Sequence, residues 1–125
     1  MNRPVHFEIL VPDPAAIAEF YESVFGWSVA RWDDPEPDAE QGYFLLNTGE
    51  AEQPGINGAV MHAHFEQSVI NTIEVEDLDA LIEAVRGAGG ELLDGPNEVP
   101  GVGMHAYCQD PAGVIFGVMQ PTKEP

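Results

Sequence analysis

The sequence predicts an α+β fold of two βαβββ modules, a mixed sheet curled into a cup with its helices outside. Three observations carry this. A strand followed by a helix occurs twice, with Asp13 and Asp77, and later Tyr43 and Tyr107, each 64 residues apart. Three strand-like runs follow each helix. Such a sheet has a helix on one face only, so its other face must be covered or used.

The first strand is Val5–Val11, with Val5, Phe7, Ile9 and Val11 on one side and His6, Glu8 and Leu10 on the other. Asp13 is placed to cap a helix over Ala15–Phe25, Gly26 to stop it, and Ile17, Phe20, Tyr21 and Val24 form its apolar stripe. Trp27–Trp32, Tyr43–Asn47 and Ile56–Met61 complete the first module. The acidic, proline-containing stretch Asp33–Gly42 reads as a loop, and His62–Gln67 as the linker. In the second module Val69–Val75 is the strand and Asp77 the cap. Leu78, Leu81, Ile82 and Val85 form the stripe, and Gly90 is the stop. Glu91–Leu93, Met104–Cys108 and Val114–Met119 close it. The modules then run over about 4–62 and 68–121 of one 125-residue domain.

Composition narrows the function. Four Lys and Arg against 22 Asp and Glu give a net charge of −18, which repels nucleic acid and anionic membrane surfaces. It also suits a high-salt habitat, where counterions screen self-repulsion. No apolar run is long enough to span a membrane, and no signal-peptide layout opens the chain, so a cytoplasmic location is expected. Cys108 is the only cysteine, so a disulfide framework is excluded and a buried apolar role is expected. No nucleophile elbow, phosphate loop or dinucleotide fingerprint is present.

The residues His6, Val11, Asp13, Phe20-Tyr21, Phe25-Gly26-Trp27, Val75, Asp77-Leu78-Asp79, Gly89-Gly90, Asp110-Pro111, Gly113 and Phe116 resemble the glyoxalase, bleomycin-resistance and extradiol-dioxygenase proteins, the vicinal oxygen chelate superfamily. The resemblance covers residues 4–121, roughly, and is closest to a lactoylglutathione-lyase-related subgroup. It implies the cup and a homodimer. It also implies one divalent metal held by His, Glu or Gln from the first and last strands of each module. His6 fits the first such position, but Gly58, Ile70 and Gly117 fall on the others. A cation needs several O or N donors, so the expectation is no metal site and no cofactor.

The expected function is therefore binding of a small organic molecule in a cup lined by His6, Glu8, Leu10, Gly58, His105, Tyr107 and Gly117. Glycines within strands leave room for a ligand. The alternative is a lyase or isomerase in which His6 and Glu8 act as acid and base with an atypical metal or none, Glu8 helping His6 hold its proton. His62 and His64 are either solvated linker residues or an incidental metal-binding pair. Trp27 is expected to pack at the helix–strand junction.

Overall fold

The computed structural model describes residues 1–32 and 42–122. The chain runs β1 (Arg3–Val11), α1 (Pro14–Phe25), β2 (Ser28–Arg31), β3 (Phe44–Asn47) and β4 (Asn57–His62). It then repeats as β5 (Val69–Glu74), α2 (Leu78–Gly87), β6 (Glu91–Val99), β7 (Gly103–Gln109) and β8 (Ile115–Pro121). This is the α+β class with the doubled βαβββ order. Nearly all of the expected acidic loop, residues 33–41, lies outside the described residues.

The chain divides into two compact units, one of residues 6–70, the other of residues 1–5 with the chain from Asn71 onward. In the first unit the strand order is β2-β3-β4-β1. β1 and β4 are parallel, while β2/β3 and β3/β4 are antiparallel. In the second the order is β5-β8-β7-β6, with β5/β8 parallel and the rest antiparallel. Parallel neighbours need a crossover connection, and the helix with its following strands supplies it in both units.

Local chemistry fixes the helices. Asp13 accepts from the Ala16 N–H at 3.3 Å, and Pro14 sits where its missing N–H costs no helical bond. Gly26 ends α1 at φ +74°, a left-handed conformation that its lack of a Cβ makes cheap. Asp77 caps α2 through the Ala80 N–H at 3.1 Å. That helix ends at Gly87, and the left-handed residue after it is Gly89 at φ +95°, one before the expected Gly90.

One face of each sheet packs on its helix. In the first unit Phe7, Ile9, Val11, Ile17, Trp27, Val29 and Phe44 surround buried Ala18, Leu46 and Val60. In the second, Val75, Leu78, Ile82, Ala106, Cys108 and Val118 are the buried core, flanked by Leu81 and Val85. The expected α1 stripe is partly wrong. Ile17 faces the core, but Phe20 and Val24 are 54% and 55% exposed. Pro14 and Ala18 are the buried residues of α1, and these small groups turn its contact line away from Phe20 and Val24. Trp27 packs where expected, stacked on Tyr21 at 5.5 Å and Phe25 at 5.0 Å.

Candidate functional site

Strand alternation sends His6, Glu8 and Leu10 to the side of β1 turned away from α1, because Phe7, Ile9 and Val11 face the helix. Glu8 is 4% exposed, so its carboxyl group needs a hydrogen-bond partner. Tyr43, just before β3, supplies one: its hydroxyl donates to Glu8 Oε2 at 2.7 Å. The same hydroxyl oxygen lies 2.9 Å from His6 Nε2. A phenol has one proton, and Glu8 receives it. His6 Nε2 is therefore the donor to Tyr43, and Nδ1 carries the imidazole lone pair. The ordered chain runs His6, Tyr43, Glu8.

The expected proton-holding His6 is corrected here. Burial lowers its pKa from the usual 6.5, and the opposing pull of Glu8 is the smaller effect. Removing the imidazolium from water costs more than the carboxylate returns. The lowered pKa favours the neutral imidazole, whose lone pair lies on Nδ1, and weighs against the general-acid role expected of His6.

Leu10 shares the strand side of His6 and Glu8 and is buried. Gly58 does not. It pairs with Phe7 in the parallel register, and a Cβ at Gly58 would stand 2.5 Å from the Phe7 ring. This glycine makes room for a core aromatic on the helix side, so its expected role in a ligand cup is withdrawn. The residue on the His6 side is Asn57, paired directly with His6. Its Oδ1 accepts from the Thr48 N–H at 2.8 Å and so braces the turn before β4.

The second unit brings its own expected residues together. Ala106 and Cys108 face α2, which leaves His105 and Tyr107 on the opposite side of β7. Their rings meet edge to face at 4.5 Å. Gly117 lies beside Tyr107 on one flank and Thr72 on the other. Sequence reasoning missed Thr72 and Tyr43. In the sequence Tyr43 stands out only as the repeat-mate of Tyr107.

His62 ends β4 opposite Val11, and His64 Nδ1 lies 3.4 Å from the His62 carbonyl oxygen. Among the described residues, no three His, Cys, Asp or Glu side chains form a group able to hold a metal ion. Ile70, at one expected metal position, is fully buried. Cys108 is buried, and burial raises its thiol pKa. Among the described residues no helix is long and apolar enough to cross a membrane.

Known proteins resemble this chain in sequence and in fold. A Mycobacterium tuberculosis chain provisionally named glyoxylase CFP32 is 32% identical over 94% of this chain and 43% of its own length. The anthracycline biosynthesis protein DnrV of Streptomyces peucetius is 30% identical over 94% of this chain and 46% of its own. The chain thus spans about half the length of these curated relatives. Streptomyces coelicolor methylmalonyl-CoA epimerase superposes with a TM-score of 0.71 at 20% identity, covering 98% of this chain and 99% of that one. Residues 3–118 match the family model itself, and the chain belongs to the Glyoxalase/Bleomycin resistance protein/Dioxygenase superfamily.

Proposed function

We propose that the chain binds a small organic molecule on the sheet side that carries His6, Tyr43 and Glu8, without the four-ligand metal site that the resemblance implies. The observation that carries this is the ordered bond chain ending in a neutral imidazole with a defined lone pair. It presents one acceptor, fixed in tautomer and orientation, beside the apolar Leu10. Few oriented polar groups among apolar ones are what small-molecule sites offer. The donor set does not suit a divalent cation, since His6 Nε2 is engaged with Tyr43, Asn57 Oδ1 with the Thr48 N–H, and Ala59 and Gly117 have no ligating side chain. The proposal includes a cytoplasmic homodimer. Exposed Phe20, Val24 and Phe25 on α1 support the dimer, and light scattering tests it.

Metal analysis and a thermal-shift screen of small organic molecules test the reading together. Protein purified without a His-tag should carry well under one equivalent of Zn, Ni, Mn or Fe. Compounds that raise the melting temperature should lose that effect in Tyr43→Phe. One tightly held metal per chain, lost in His6→Ala, overturns the proposal.

The same geometry favours one second reading, a lyase or isomerase in which neutral His6 removes a proton through Nδ1 and Tyr43 passes charge compensation to Glu8. Methylmalonyl-CoA, named for the similarly folded epimerase, is the first substrate to try. Exchange of its α-proton in D2O, abolished in His6→Gln, supports catalysis. No exchange above the buffer rate leaves binding as the function.

A further inference from the structure

Two polar atoms on the side of β1 and β4 away from α1 make no bond within the fold. One is His6 Nδ1. Nε2 donates to the Tyr43 hydroxyl, so the lone pair of the neutral ring sits on Nδ1. The other is Asn57 Nδ2. A backbone N–H can only donate, so the 2.8 Å contact with the Thr48 N–H fixes the amide oxygen on that turn and leaves both amino protons over. Among the described residues neither Nδ1 nor Nδ2 has a hydrogen-bond partner.

Register puts the two side by side. His6 and Asn57 are direct partners in the parallel β1/β4 ladder, so their side chains leave the sheet on one side. Adjacent strands lie about 5 Å apart, within reach of one small ligand edge when each hydrogen bond spans about 3 Å. A ligand can approach them. His6 is half-buried and Asn57 is exposed, and Asn57 borders a hollow of about 100 Å3 with Thr48, Gln53 and Gly55. The sheet thus offers an acceptor beside a donor. A carboxylate or ketone leaves Nδ1 unanswered, and an ammonium leaves Nδ2 unanswered. The net charge of −18, with Glu8 on the same strand face, also disfavours anions.

We infer that His6 and Asn57 recognise an uncharged amide edge, an N–H beside its own carbonyl on one side of a lactam, imide or pyrimidinone ring. The ligand N–H donates to His6 Nδ1, and its carbonyl oxygen accepts from Asn57 Nδ2. A ring holds the two groups rigidly on one edge, so binding freezes no rotor. Tyr43 is a positioning residue for this contact, since it holds the His6 tautomer. The inference rests on the small-molecule reading above, names the ligand class for that site and adds Asn57 to it.

The test uses the full chain at about pH 7.5, where the imidazole is neutral. His6 ring signals, assigned through His6→Gln, are followed by NMR. The probes are γ-butyrolactam, which has the whole edge, and N-methyl-γ-butyrolactam, which lacks only the N–H. The lactam should shift the signals saturably, and its N-methyl form should bind about tenfold more weakly. Asn57→Asp keeps an oxygen for the Thr48 N–H but loses the amino donor. It should weaken lactam binding about tenfold and melt close to wild type. Equal responses to the two probes, or to the lactam in wild type and Asn57→Asp, overturn the amide edge. The probe comparison needs no variant, so it decides the matter even where Asn57→Asp folds poorly. An absent lactam response also overturns the edge. A compound from the thermal-shift screen that still needs Tyr43 then shows that the site stands and only its ligand class falls. With no such compound both readings fall.

Discussion

Tyr43 joins two groups that the chain places 35 residues and more from it, His6 and Glu8. Replacing it with Phe keeps the ring and strands the Glu8 carboxyl without that donor. Tyr43→Phe should therefore cost about 1–3 kcal/mol in urea denaturation. His6 gives a pH signature. Its folded pKa lies below the unfolded 6.5, so the unfolded chain binds the proton first as pH falls. Stability from this group is fully present above the unfolded value and is lost as pH drops through the folded one. The melting-temperature difference between wild type and His6→Gln, followed from about pH 7 to about pH 5, should move against the wild type. The His6–Glu8 pairing was legible in the sequence because strand alternation is local. Tyr43 was not, because only the β1-β4-β3 order brings it to them.

Within elements, helix caps and strand order were readable from Asp13, Gly26 and Asp77, each acting on its near neighbours. Sheet sidedness was readable only where a strand alternates cleanly. β4 runs through Gly58-Ala59-Val60 with no polar alternation to mark its faces, so the sequence alone puts Gly58 on the wrong side. The offset of 59 that aligns Gly58 with Gly117 is one residue out in structural terms, and one residue reverses the face. The consequence is measurable. Gly58→Ala should destabilise by about 1–3 kcal/mol through overpacking against Phe7. Combining it with Phe7→Ala should cost less than the two changes added together, because the second vacates the space that the first invades.

Over the whole chain, charge dominates. Twenty-two acidic groups against four Lys and Arg oppose compaction in dilute buffer, and salt screens that repulsion. The melting temperature should climb between low ionic strength and about 1 M NaCl. A protein equally stable in both would refute the high-salt reading. Cys108 offers a further handle. It is the only thiol in the chain and has no exposed surface in the core of the second unit, and burial disfavours its thiolate. A disulfide reagent can reach it only when that core opens, so the modification rate in native buffer is a stopwatch on one half of the molecule. The half formed by residues 6–70 has no thiol and stays silent. If the opening free energy from that rate equals the one from urea unfolding, the repeats unfold as one cooperative block. If it is smaller, the C-terminal repeat breathes on its own.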